Sequence, residues 1–312
     1  MSKVAVVAVG GNALIVDSQH QSIEDQYQAV ISTTRHLVDL IQEGWTVVLT
    51  HGNGPQVGFI LQRSELARQS VHSVPMDVAV ADTQGAIGYH FQQALFNEFA
   101  ARKIERQAVT LVTQVVVDEN DAAFQSPSKP IGAFMDEATA RAREKDDDWK
   151  VIEDSGRGWR RVVASPKPRQ ILELDAINSL VKSGFMVVAV GGGGIPVVKT
   201  EAGYLGVAAV IDKDLASSLL AQQLKSDLFL VSTAVEAVCI HFGTPKQEEL
   251  RDLHLADARR YLAEGHFKAG SMKPKVEAAI AYVEATGGLA VITNPENMAK
   301  AVAGKAGTRI LP

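Results

Sequence analysis

Short apolar runs that end in glycine recur along the chain. Residues 4–9 (VAVVAV) run into Gly10-Gly11, residues 46–49 (TVVL) reach His51-Gly52-Asn53-Gly54, and residues 185–190 (FMVVAV) run into Gly191 to Gly194. Unbroken Val-rich runs of this length predict strands buried on both faces, as in a parallel sheet. Between them the apolar spacing becomes helical. Over 27–43 it falls on Val30, Leu37, Val38 and Ile41, with Gly44 as the stop, and 86–102 and 168–182 read the same way. Strands alternating with helices predict an α/β fold around a parallel sheet. The stretch 118–165 breaks that rhythm. It carries SPSKP, EKDDDWK and GRGWRR, with dense mixed charge and scattered apolar residues. Loops this long in a compact protein carry function or structure of their own, so an excursion from the sheet is predicted here, a small flap or subdomain.

The hexapeptide VVAVGG occurs twice, at Val6–Gly11 and Val187–Gly192. Two copies do not make a repeat protein. Either two buried strands end in similar tight turns, or two Gly-rich strand ends face one ligand. In open α/β sheets ligands sit beyond the carboxyl ends of strands, where backbone N–H groups are exposed.

Composition narrows the class. The 312 residues are 46% hydrophobic and 21% charged, which is globular rather than disordered or fibrous. Lys plus Arg number 31 against 36 Asp plus Glu, and no long basic run occurs, which argues against nucleic acid as the main partner. The single cysteine, Cys239, lies in an apolar run and is read as a core residue; with no disulfide possible within the chain, a reducing cytoplasm is the expected compartment. The N-terminal MSKVAVVAVGG lacks the layout of a signal peptide. No apolar stretch approaches the ~20 residues of a membrane span.

Four segments carry candidate chemistry. Gly10-Gly11-Asn12 lets backbone approach an anion closely and adds an amide donor. His51-Gly52-Asn53-Gly54-Pro55-Gln56 is a second such cradle, in which His51 is a base or a structural residue. Four consecutive glycines from Gly191, costly in backbone entropy, call for a ligand or a tight backbone crossing. In Asp212-Lys213-Asp214, at the start of a helix-like stretch over 215–224, helix capping explains one aspartate but not Lys213, whose charge opposes the helix dipole unless an anion is near. A phosphate would be that anion. The P-loop, the GxGxxG fingerprint after the first strand, protein-kinase signatures and zinc motifs are all missing. Phosphate handling here would rest on Gly-rich strand ends and lysines.

Ten segments, in order from end to end, resemble carbamate kinases, a branch of the amino-acid-kinase family. They are VGGNAL (9–14), THGNGPQVG (50–58), TQGAIGYHFQQAL (83–95), TLVTQVVVD (110–118), KPIG (129–132), GRGWRRVVASPKP (156–168), GGGGIPV (191–197), AVIDKDLAS (209–217), FGTPKQ (242–247) and GSMKPKVEAA (270–279). The resemblance implies an α/β three-layer αβα sandwich with a mainly parallel sheet of about eight strands. It implies one domain over 1–312 with a protruding flap subdomain at 118–165 over the active site, and a homodimer. It further implies the reversible reaction ATP + carbamate ⇌ ADP + carbamoyl phosphate, with Mg²⁺ accompanying ATP/ADP and no protein-held metal. Its place would be the making of ATP in arginine or related carbamoyl-phosphate breakdown.

Roles carry over position by position. Gly10, Gly11 and Asn12 match the turn at the phosphoryl-transfer site, and Gly52 and Asn53 the turn at the carbamate side. Gly191, Gly192 and Gly193 are read as phosphate-binding with them. Lys129 matches the lysine offered by the flap. Lys213 and Lys275 match the lysines that hold the phosphates, and Asp214 the acid that orients them. Thr233, Ala234, Val235, Val238, Met272 and Pro274 match the nucleotide pocket, which Lys213 and Lys275 also border. Asp82, Ala133 and Met135 depart from the usual family residues. The alternatives are a sibling kinase acting on a larger acid, which needs extra polar side chains for an amino-acid headgroup, and a nucleotide-binding paralogue without turnover, which would have lost a lysine or Asp214.

Overall fold

The computed structural model describes residues 3–11, 14, 15, 17, 19–154 and 156–312. At its centre is an eight-stranded sheet in the order Asp252–His254, Thr308–Leu311, Leu289–Thr293, Leu228–Ser232, Lys3–Val9, Trp45–His51, Met186–Val188, Ala108–Thr110. Neighbours run parallel, except where Leu289–Thr293 meets Thr308–Leu311.

The strand Lys3–Val9 shows why an unbroken Val/Ala run belongs in the middle. Successive side chains point to opposite faces, and both faces are covered. Val6 and Ala8 pack in one cluster with Ile177, Leu220 and Ala279. Ala5, Val7 and Val9 pack in another with Val30, Leu37 and Phe91. Helices Lys213–Gln223 and Met272–Thr286 lie on the first face, and Ile23–Gln42 and Met76–Arg102 on the second. The result is the expected three-layer sandwich. No helix among the described residues is long and apolar enough to cross a membrane.

Two predicted helices have different bounds. The helix expected over 86–102 starts at Met76, because Met76, Ala79 and Val80 continue its buried face. The helix expected over 168–182 is two elements: Pro168–Ile171 is a strand and only Leu174–Lys182 is helical. Ile171 is buried opposite Val115 in an antiparallel pair, so tertiary pairing overrides the helical spacing there.

Residues 129–163 build a small sheet apart from the central one. Lys129–Met135, Trp159–Val163 and Lys150–Glu153 form three antiparallel strands, with helix Glu137–Asp147 between the first and last in sequence. Ile131 and Val163 anchor its base against Val57, Met76 and Val80. Elsewhere guanidinium groups lie on aromatic rings: Arg141 over Trp159 at 4.3 Å, Arg161 over Trp149 at 4.6 Å and Arg157 over Phe134 at 4.8 Å.

Candidate active site

Three neighbouring strands, Lys3–Val9, Trp45–His51 and Met186–Val188, end on the same edge of the sheet; glycine follows the first two directly and the third after Ala189 and Val190. Backbone bonds tie the first two ends to their neighbours: Gly10 N–H donates to Ser232 O at 3.2 Å and Gly52 N–H to Val9 O at 3.2 Å. Among the described residues, a Cβ on Gly11 would meet nothing within 4 Å. One on Gly52 would lie 3.7 Å from Lys213 Cδ and 3.8 Å from Gly11 N. Gly11, Gly52 and the Lys213 side chain therefore border one open space. Asn12 lies outside the described residues.

Lys213 opens the helix Lys213–Gln223. Asp212 caps it, its Oδ1 accepting from Asp214 N at 2.9 Å. Asp214 has another task. It is buried, its Oδ1 accepts from Lys213 Nζ, and its Oδ2 accepts from Lys275 Nζ at 2.9 Å. Burial pushes the Asp214 carboxyl up, but the two ammonium groups outweigh burial and hold it below the usual carboxylate range. Burial pulls Lys213 down, countered by Asp214. Lys275 comes from the first turn of Met272–Thr286, and Lys129 Nζ from the small sheet lies 3.6 Å from Asp212 Oδ2. Three ammonium groups thus face two carboxylates, and the two central lysines share one. Buried cations short of counter-charge favour an arriving anion.

The tetraglycine turn behaves differently. A Cβ on Gly191 would lie 2.5 Å from His51 Nε2, and on Gly193 2.4 Å from Ile211 O. Gly192, at φ +68°, would place one 2.0 Å from Asn53 Nδ2. These glycines are required by protein packed against them: the tight crossing accounts for the run. Gly191, Gly192 and Gly193 are buried and brace Asn53 and the backbone leading to Lys213. Asn53 is itself buried and donates through Nδ2 to Thr83 Oγ1 at 2.8 Å. His51 is buried beside Phe91, with Nδ1 2.9 Å from Gly52 O; burial lowers it to about 4, the more so with Lys213 near, and keeps the ring neutral. That is the structural role of the two considered for it.

Thr233, Ala234 and Val235 follow the strand Leu228–Ser232, next to the first glycine turn in the sheet. Thr233 N–H donates to Thr293 O at 2.8 Å, Val235 is half-buried and Ala234 is exposed. Met272 and Pro274 are half-buried on the helix turn that carries Lys275. Val238 is fully buried with its N–H bonded to Thr308 Oγ1, so it backs this region rather than lines it.

Polar residues behind the turns complete the site's frame, though no catalytic motif marks them. Gln84 Nε2 donates to Gly191 O at 2.9 Å and Thr113 O at 3.1 Å, and its Oε1 accepts from Thr113 N at 2.8 Å. Thr113 Oγ1 then accepts from Val190 N at 3.0 Å. Thr83-Gln84 in the buried face of a long helix was the available signal.

A match to the amino acid kinase family spans residues 3–294. The chain belongs to that family. Within it, a carbamate kinase of Pyrococcus furiosus is 47% identical over 314 residues, covering all of both chains. The carbamate kinase-like protein YahI of Escherichia coli is 49% identical over 315 residues, covering 100% of this chain and 99% of that one. The solved carbamate kinase of Giardia lamblia bound to AMP-PNP superposes with a TM-score of 0.95 at 40% identity, over 99% of this chain and 98% of that one. The central sheet and the glycine-ended strands described above are thus the architecture of this family.

Proposed function

We propose that this protein is a carbamate kinase, interconverting ATP plus carbamate and ADP plus carbamoyl phosphate. The observation that carries the reading is the buried Lys213–Asp214–Lys275 group beside the open space at Gly11 and Gly52. Carbamate is already an anion with a nucleophilic oxygen, so no general base is needed, in keeping with a buried neutral His51. Its oxygen forms a bond to the γ-phosphorus as the bond to the bridging oxygen of ADP breaks. Lys213 and Lys275, aimed by Asp214, stabilise charge on the group in flight, and the Gly11 and Gly52 turns offer backbone to it. Thr233 to Val235 with Met272 and Pro274 border the nucleotide.

Mg²⁺ bound together with the nucleotide would supply charge neutralisation; Asp212 and Asp214 are already engaged by ammonium groups, so the chain's own carboxylates here serve the lysines. The small sheet acts as a flap subdomain that brings Lys129 to the carbamoyl-phosphate end. The protein works in the cytoplasm, making ATP from carbamoyl phosphate of arginine breakdown. A second copy covers the face of Met76–Arg102 that shows Val78, Tyr89 and Phe96, spaced to lie on one side of the helix and exposed by 44%, 58% and 45%. Sedimentation of wild type and Tyr89→Asp tests the dimer.

The deciding experiment is a coupled assay for ATP formed from carbamoyl phosphate and ADP with Mg²⁺. Turnover is expected. ADP binding without turnover would establish the paralogue reading, and phosphorylation of glutamate but not carbamate the sibling one.

A further inference from the structure

A second cavity, of about 350 Å³, lies between the small sheet and the distal half of helix Gly54–Ala67. It shares no lining residue with the glycine turns or with Lys129, Lys213 and Lys275. Its walls are largely apolar, with Leu61 and Val74 on one side and Ile131, Met135 and Trp149 on the other. At this size it matches the smaller ligand pockets of proteins.

Its charged groups are unevenly matched. Arg143 bridges Glu65 at 2.5 Å and Asp147 at 2.8 Å, and Arg68 reaches Asp147 at 3.0 Å and Glu65 at 3.7 Å. Two guanidiniums and two carboxylates so close a ring on themselves. Arg161 is left over. It lies on the Trp149 face, and among the described residues no carboxylate stands within 4.0 Å of it and no acceptor takes a hydrogen bond from its guanidinium. Burial lowers its pKa even with Glu65 and Asp147 in the neighbourhood.

We propose that this cavity is a binding site for a small organic monocarboxylate with an apolar body, its carboxylate paired with Arg161. Guanidinium matches a planar carboxylate through paired N–H donors. The apolar walls take the body of the ligand. The lining as a whole carries a single excess positive charge, so a monoanion balances it, whereas a phosphate dianion would bring a second negative charge with no cation left to balance it. The site stands independently of the kinase reading. The strand Lys129–Met135 contributes to it, with Lys129 at the far end of the same strand.

The test is calorimetric titration of the whole protein with benzoate and with its neutral analogue benzamide, at saturating ADP so that the nucleotide side is filled. Benzoate is expected to bind saturably. Arg161→Met should weaken it about tenfold or more, and benzamide should bind the wild type correspondingly weakly. Leu61→Trp, which fills the cavity from the helix side and leaves Arg161 in place, should abolish binding with unchanged ADP affinity. If Arg161→Met fails to fold by circular dichroism, Leu61→Trp decides. No saturable benzoate binding, equal affinity in either folded variant, or benzamide binding as tightly as benzoate would each overturn the assignment.

Discussion

In the strand Lys3–Val9, every residue from Ala5 onward is 0% exposed and packs into apolar clusters on two faces. In Lys150–Glu153 of the small sheet, Lys150, Ile152 and Glu153 are exposed and Val151 is half-buried. The first is held by area removed from water, worth roughly 25 cal/mol per Å². The second is held at its base by Ile131 and Val163, and beyond that by guanidiniums on aromatic rings and by ion pairs, each worth about 1 kcal/mol or less. A segment held that way opens locally at lower free energy than the body. The division suits the chemistry proposed. Lys213 and Lys275 stand on helices packed into the central core, while Lys129 stands on the small sheet, which has far fewer buried apolar residues.

The comparison breaks first at Lys213. Lys213→Met should lower kcat about a hundredfold or more, on the order of 3 kcal/mol, with a much smaller change in the KM for ADP. Its melting temperature should hold, because Asp214 keeps Lys275. Near wild-type turnover would remove the rigid half of the argument.

Acid probes the same rigid half. His51 titrates at about 4 when folded, against about 6.5 in an unfolded chain. Between those values the unfolded state binds the extra proton, so stability rises with pH across the window and is lost as pH falls through it. From pH 6.5 to pH 5 the loss should be about 1 to 2 kcal/mol. Urea midpoints of wild type and His51→Gln at both pH values check it: the difference between them should shrink on acidification. A constant difference would mean that His51 is charged or exposed.

Lys129→Ala moves to the other half. It should raise the KM for carbamoyl phosphate about tenfold and lower kcat, with ADP affinity nearly intact, as expected for one partly exposed charge–anion contact. Equal losses for both ligands would place Lys129 with the nucleotide lysines and remove the flap's separate role.

How far these halves could be read from sequence follows the same line. The Val-rich runs announce buried strands because both faces of a parallel sheet impose one composition, and Asp212-Lys213-Asp214 announces an anion because a lysine at a helix start is electrostatically out of place. Asp212 proved the cap and Asp214 the lysine clamp, which spacing alone did not separate. The tetraglycine turn was conspicuous but ambiguous. Only the fold shows Asn53, His51 and Ile211 filling the space its side chains would need. Gln84 and Thr113, 29 positions apart, meet only through tertiary structure. GRGWRR and EKDDDWK marked an excursion from the sheet but not its internal packing, because the pairing that lays Arg161 on Trp149 depends on the register of two strands that sequence does not reveal.

That stacking offers the finest test of the contrast. Trp149 has Arg161 at 4.6 Å and Arg143 at 5.6 Å from its ring centroid. Trp149→Leu keeps an apolar side chain but removes the aromatic face, at a cost of about 1 kcal/mol. If the small sheet opens separately from the body, that cost should appear there alone. Amides of Trp159–Val163 and Lys150–Glu153 should exchange with deuterium about fivefold faster, while those of Lys3–Val9 keep their wild-type rates. Raising salt should speed exchange in the small sheet of both proteins, since its ion pairs are screened, and leave the central strands unaffected. Uniform acceleration across both sheets would mean that they unfold as one unit, and a closing flap would then need another source of motion.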